Sequence, residues 1–288
     1  MNPYLQFVDE IARVTLGGRS LPLGGLVPPR HPAPAASAPA ALIFSPHPDD
    51  ECIVGGLALR LMREARVRVT NIAVTLGSNL ARRQERWQEL SAACNFLGFG
   101  LEATVPGGLE RITSQARLQD SGHWAAAVDS VVALLARHRP HLVFLPHQGD
   151  WNASHIGTHY LVMDALKRMP PDFETILVET EFWAAMSAPN LMVEFGTGDL
   201  ADLLAALSFH VGEVKRNPYH LRLPAWMQDN VRRGAELVGG QGSVAPDYAF
   251  ATLYRVRQWA AGTAKDPCPE GTRIGAHDFP GALFGLTR

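Results

Sequence analysis

The chain has 288 residues, a formal net charge of −2, 47% apolar residues and 19% charged residues. This composition supports a sizeable core and excludes a chain that is disordered throughout. It also argues against nucleic acid as the principal partner, because phosphate neutralisation calls for a surplus of Lys and Arg. The length suits one α/β domain with additions. Cys52, Cys94 and Cys268 are far apart and odd in number, which fits a reducing compartment and neither a disulfide framework nor a thiolate zinc site. Met1 to Ser20 lacks the basic start and continuous apolar core of a signal peptide. No run of ~18 apolar residues could span a bilayer. The expectation is a soluble cytoplasmic protein.

Residues 1–27 read as a short amphipathic helix and a turn region rich in Gly and Leu. Pro28 to Ala40 is a Pro/Ala-rich connector, so 1–40 forms an N-terminal arm. The arm could cover an edge strand or bridge subunits, which leaves a homo-oligomer open. From Ala41 strand and helix patterns alternate. Ala41–Ser45 is an apolar strand, and Glu51–Ala65 a helix with Ile53, Val54, Leu57, Leu61 and Met62 on one face. Val67–Thr75 is a β-branched strand, Ala81–Leu97 a helix and Leu101–Val105 a short strand. His123–Arg137 is a helix, His141–Leu145 a buried strand, His155–Arg168 a helix and Thr175–Thr180 a strand. Asp199–Phe209 and Pro224–Leu237 look helical, Ala249–Trp259 fits strand or helix, and 261–288 reads as an irregular tail. Strands separated by helices predict an α/β fold, a Rossmann-like parallel sheet sandwiched between helices. The expected organisation is an arm over 1–40, one catalytic domain over 41–260 and a C-terminal extension over 261–288.

Two strand ends carry the chemistry. Ala41–Phe44 runs into His47-Pro-Asp-Asp-Glu51, and His141–Leu145 runs into a stretch holding His147, Asp150, Asn152, His155 and His159. In a parallel sheet both ends lie on the edge where ligands bind. Clustered carboxylates are costly unless a cation or a shared proton offsets them. A His/Asp/His set of donors suits zinc with an open position. Such a site acidifies a water for attack on a carbonyl. Asp49, beside Asp50, is placed to take that water's proton. Gly55 and Gly56 stand outside any GxGxxG or GxxxxGK[ST] pattern and read as close-packing glycines. Glu51 fits a helix N-terminus. His31, His123, His138, His141 and His277 have no motif around them and read as structural or surface residues.

His47-Pro-Asp-Asp-Glu51 resembles the HPDDE signature of the PIG-L/LmbE-like zinc N-deacetylases. The resemblance implies His47 and Asp50 as metal ligands and Asp49 as general base. The family's second motif often reads like D-W-H-P-D-H-R-A-T-H, and Asp150-Trp-Asn-Ala-Ser-His-Ile-Gly-Thr-His159 is similar to it. On that register His155 is the third ligand. Asn152 stands where the commoner form has a histidine that polarises the acetyl carbonyl. Asn can donate a hydrogen bond but cannot be cationic, so Asn152, His147 or His159 is left to stabilise the oxyanion. Arg86-Trp-Gln-Glu-Leu…Leu-Gly98 resembles a family helix whose arginine helps to bind substrate. His210 and Tyr219-His220 fall where the family often has a His and a Tyr near the pocket. Trp151 is a candidate to stack on a sugar ring.

The reading is therefore a zinc-dependent hydrolase that removes an acetyl group from an N-acetylated sugar or glycoconjugate. Zinc is the expected cofactor, and Fe2+ or Co2+ fits the same ligands. Asp49, Asn152 and His147 are the catalytic candidates, His47, Asp50 and His155 the metal ligands, and Arg86, Trp151, His159 and His210 the substrate-binding candidates. A metal-dependent hydrolase of another amide or an ester and a non-catalytic Rossmann-like binding protein are the alternatives.

Overall fold

Every residue of β1 (Ala40–Ser45) is buried. Side chains alternate across a strand. Ala41 and Ile43 enter one core, while Leu42 and Phe44 enter another. β1 must therefore lie between two layers. The computed structural model describes residues 2–30, 32–267 and 271–288. His31 and Cys268 lie outside the described residues.

An exposed helix, α1 (Tyr4–Gly17), precedes β1. The chain then runs through α2 (Asp50–Ile53), α3 (Gly56–Ala65), β2 (Arg68–Ala73), α4 (Arg83–Leu97) and β3 (Gly100–Ala103). It crosses α5 (Ser114–Gln119) and α6 (Ser121–His138) to reach β4 (Leu142–Pro146), α7 (Ala153–Leu166) and β5 (Thr175–Thr180). The last third holds β6 (Leu191–Glu194), α8 (Thr197–Leu207), α9 (Val211–Arg216), α10 (Leu223–Gly239), β7 (Ala251–Ala260), β8 (Thr263–Lys265) and β9 (Thr272–Ile274).

The strands form one sheet in the order β3-β2-β1-β4-β5-β7-β6-β9, with β8 paired to β7. The first five are parallel, as expected. β7 is the departure, since it runs antiparallel to both β5 and β6. Its register sets Arg255 opposite Glu179 of β5, and the Arg257 guanidinium pairs with that carboxylate. Helices α3, α4 and α8 pack on one face of the sheet, and α6 and α7 on the other. After β1 the chain winds outward through β2 and β3, then returns to lay β4 on the other side of β1. The order therefore reverses between β1 and β4. The C-terminal ends of strands at such a switch point form a natural crevice.

The expected helix over 51–65 is broken in two. A Cβ at Gly55 would lie 2.0 Å from the Glu51 carbonyl oxygen, and one at Gly56 would meet the Phe195 ring at 2.6 Å. Both glycines serve close packing. The segment 249–259, which fitted strand or helix, is strand. β6, α9, β8 and β9 were not expected, because three to six residues are too few for periodicity to register. The tail expected to be irregular thus adds β8 and β9. On α1, Tyr4, Phe7, Ile11 and Val14 stay exposed. Among the described residues, no helix is long and apolar enough to cross a membrane.

Arg60 ties the tail to the body. It is 1% exposed. Its Nε donates to Glu64 at 2.7 Å, and Nη1 donates to the carbonyls of Glu194 and Gly275 at 2.9 and 3.1 Å. Nη2 donates to the Asp278 carbonyl at 2.7 Å. Removing the guanidinium takes the donor from several part-buried acceptors at once. Arg60→Met is expected to cost about 3 kcal/mol in a denaturant melt and to speed proteolysis of residues 271–288. An unchanged midpoint would show that the tail is held by other contacts.

Candidate metal centre and cleft

The loop after β1 packs three successive carboxylates, and each meets a different partner. Asp50 Oδ2 accepts the His47 backbone N–H at 2.9 Å. The same oxygen lies 3.7 Å from His47 Nδ1 and 3.5 Å from His155 Nε2. The two imidazole rings are 5.3 Å apart. One donor atom from each of His47, Asp50 and His155 falls within 4.8 Å of the others. His155 comes from α7, on the far side of the switch point, as its position after β4 requires.

This donor set fits a divalent cation. His155 Nε2 is buried and has no hydrogen-bond partner among the described residues. Its Nδ1 is backed by Asp150 Oδ2 at 3.4 Å. A carboxylate behind one ring nitrogen, with the other left open, is the usual support for a metal-binding histidine. Burial lowers the His47 imidazole to about 4, against the pull of Asp50, so the ring is neutral and able to coordinate. Burial also works to lower His155, but Asp50 and Asp150 outweigh it and raise this imidazole.

Asp49 has φ 119° and ψ −27°, a backbone state that costs a non-glycine residue ~1–3 kcal/mol. Its N–H donates to Glu51 Oε2 at 2.9 Å, and its Oδ2 accepts the Tyr219 O–H at 2.5 Å. Burial, then the Asp50 charge, pushes the Asp49 carboxyl up to about 7. Burial and the Asp49 charge push the Tyr219 phenol upward, so it stays a donor. Glu51 is completely buried, and its Oε1 accepts from His210 Nε2 at 2.7 Å and from Cys52 Sγ at 3.0 Å. Burial alone would raise Glu51, but the His210 imidazole prevails and holds it below the usual carboxylate range. Glu51, Cys52 and His210 also bring donor atoms within 4.8 Å, but their direct hydrogen bonds account for that closeness.

A cleft of about 680 Å³ opens above the triad, lined by His47, Asp49, Arg86, Trp151, Asn152 and Trp183, with Arg82, Glu213 and Arg216 along one wall. Arg86 donates to the Pro48 carbonyl at 3.1 Å. Its guanidinium lies against Gly77, where a Cβ would approach Nη1 to 2.1 Å and where φ is +83°. Any side chain at Gly77 would displace Arg86. Asn152 caps α7, with Oδ1 accepting from the Ser154 N–H at 2.9 Å. The cap uses the oxygen, so the amide NH2 is the end able to donate to a ligand. Trp151 is 68% exposed on the rim, and its indole N–H is tied to the Trp183 carbonyl at 2.9 Å.

Three expected site residues lie elsewhere. His147 donates from Nε2 to the Ala184 carbonyl at 3.1 Å and does not line the cleft. His159 is buried, with Nδ1 donating to the Pro146 carbonyl at 2.9 Å. His210 has no exposed surface and sits beneath the turn, against Glu51. Sequence reasoning missed the Tyr219–Asp49 bond and the cleft residues Arg82, Glu213 and Arg216. Glu51 does lie in the first turn of α2, as expected, but its burial against His210 was not foreseen. The apolar neighbours Cys52, Ile53 and Val54 were the available signal that this carboxylate is buried.

Residues 42–166 match the sequence model of the family described as PIG-L: GlcNAc-PI de-N-acetylase. No curated protein sequence matches the chain. Among solved structures, the chain is similar to N,N'-diacetylchitobiose deacetylase from Pyrococcus horikoshii, with 14% identity, TM-score 0.55, and 87% of this chain and 92% of that one covered. It is also similar to a deacetylase of the teicoplanin biosynthesis pathway, with 16% identity, TM-score 0.52, and coverage of 79% and 99%. A third is GalB, the 4-carboxy-2-hydroxymuconate hydratase of Pseudomonas putida KT2440, with 15% identity, TM-score 0.56, and coverage of 76% and 95%. At these identities the likeness establishes the fold.

Two outcomes test the centre. Asp150→Asn should weaken zinc binding about 10- to 100-fold without unfolding the protein, as read by competition with a chelating dye. Cation and proton compete for His155, whose value is raised above the ordinary 6.5. Zinc affinity should therefore fall as the pH is lowered, beginning above pH 6.5. His47, near 4, does not compete there. A flat profile would remove His155 from the ligand set.

Proposed function

We propose that the protein is a metal-dependent N-deacetylase acting on an N-acetylated sugar or glycoconjugate, a reading supported by the match of residues 42–166 to the PIG-L family model. The observation that carries the reading is the pairing of two neighbouring groups. One is a donor triad, His47, Asp50 and His155, with an open imidazole nitrogen. The other is Asp49, a carboxylate held beside the triad by Tyr219 and facing the cleft. A family of deacetylases and deacetylase neighbours support the acetyl group and the sugar.

His47, Asp50 and His155 would hold the cation, with zinc first and Fe2+ or Co2+ suited to the same donors. When bound, a divalent cation acidifies water and polarises an acyl carbonyl. The protein's own groups do the rest. Asp49 takes a proton from the attacking water. The Asn152 amide NH2 donates to the oxygen on which negative charge develops, a contribution of about 3 kcal/mol where such a donor is preorganised. Asp49, now protonated, returns the proton to the leaving amine as the C–N bond breaks, and acetate and the free amine depart. His147, tied to the Ala184 carbonyl, takes no part. Trp151, with its indole N–H anchored, offers a fixed face to a sugar ring, and Arg86 lines the cleft beside it.

The hydratase neighbour favours a second reading, addition of water to an unsaturated carboxylic acid, with Arg82, Arg86 and Arg216 receiving the carboxylate. The two readings part in one assay set. Amine release from N-acetylglucosamine, N,N'-diacetylchitobiose and N-acetylglucosaminyl inositol is set against loss of absorbance from unsaturated acids.

Asp49→Asn should keep full zinc content and lose most turnover, and wild-type amine release from that variant would sink the assignment. His155→Ala should lose the metal. Asn152→Ala should slow amine release by about 100-fold.

A further inference from the structure

The family match ends at residue 166, yet two side chains well beyond it close on Asp49. His210, enclosed on all sides, donates from Nε2 to Glu51 Oε1 at 2.7 Å across 159 positions of sequence. The other oxygen of that carboxylate accepts the Asp49 N–H. Glu51 is thus pinned between an imidazole and the amide of Asp49, whose backbone is at positive φ. Tyr219 makes the second hold, its O–H meeting Asp49 Oδ2 at 2.5 Å across 170 positions. That leaves Oδ1 as the Asp49 oxygen with no hydrogen-bond partner among the described residues. Neither His210 nor Tyr219 is among the residues that line the cleft.

We infer that His210 and Tyr219 are positioning residues for the catalytic carboxylate. His210, through Glu51, fixes the Asp49 backbone, and Tyr219 fixes the rotation of its side chain. The inference rests on the reading of Asp49 as the base. The pair Glu51–His210 has no other visible task. Its members are fully buried, and their hydrogen bond occupies the space an ion would need. A buried ion pair is seldom a source of stability over an apolar pair of equal volume, so its retention under the turn calls for a positional role.

The test uses zinc-loaded protein and three variants, Tyr219→Phe, His210→Leu and His210→Gln. Each is taken to a crystal structure and to steady-state amine release from N,N'-diacetylchitobiose. In Tyr219→Phe the Asp49 carboxylate should rotate while His47, Asp50 and His155 stay in place. Its kcat should fall roughly 100-fold, since small misplacements of a reacting group cost that much, with KM moving less than about 2-fold. In His210→Leu the Asp49 backbone should leave positive φ. In His210→Gln, which keeps an N–H toward Glu51, part of both losses should be recovered. An Asp49 unmoved in the crystal structures, or a kcat unchanged in Tyr219→Phe, overturns the inference. If His210→Leu does not fold, Tyr219→Phe decides alone. Wild-type protein that releases no amine would defeat the proposed deacetylase, while the Asp49 positions would still decide the inference.

Discussion

Three consecutive carboxylates, Asp49, Asp50 and Glu51, are buried in a single turn, and much of the molecule is arranged around their charge. Left alone, such a cluster would protonate or unfold the turn. Each member has a separate remedy. Glu51 has the His210 imidazole, Asp50 lies between two imidazoles, and Asp49 has the Tyr219 phenol. The remedies come from different parts of the chain. His155 arrives on α7 because β4 lies beside β1, whereas His210 and Tyr219 arrive after α8 has packed against α4. The sheet order and the second helical layer can therefore be understood as the means of bringing counter-groups to one turn. The same division separates roles. The Asp50 side gathers atoms for a cation, and the Asp49 side keeps a carboxylate apart from them.

The candidate metal half was legible in the sequence because each of its two segments follows a buried strand. His47, Asp50 and His155 sit directly after apolar strands, and strand ends at a switch point converge whatever the remaining topology. The parallel half of the sheet was legible too, since each strand is separated from the next by a helix of clear period. The Asp49 half was not, because it depends on side chains separated by 159 and 170 positions. His210 was expected at the substrate and lies beneath the turn instead. Nothing in one sequence tells a buried histidine that holds a carboxylate from an exposed one that holds a ligand. β6 and β9 escaped for a different reason, being four and three residues long.

Asn152 shows how the local frame constrains chemistry. As the cap of α7 it must present its oxygen to the Ser154 N–H, which turns the amide NH2 away from the helix. A residue chosen for the helix terminus thus has its donor orientation settled before any ligand arrives. His147, a rival for the same task, has its ring committed to the Ala184 carbonyl. The contrast follows from backbone geometry and is independent of which acyl compound is bound.

The spacing of these groups also sets an order in time. During synthesis the candidate metal ligands are all present once residue 155 has emerged, and strands β1, β2, β3 and β4 are complete by residue 146. The N-terminal part of a chain is then the first that is free to fold. Tyr219 is 64 residues further on than His155, and β7, which lies between β5 and β6, begins only at Ala251. A growing chain can therefore assemble a cation site well before it has the side chains that hold Asp49 in its strained backbone state. On this ordering, the His47–Asp50–His155 cluster belongs to the part of the chain made early, and the hold on Asp49 waits for the last third of the protein.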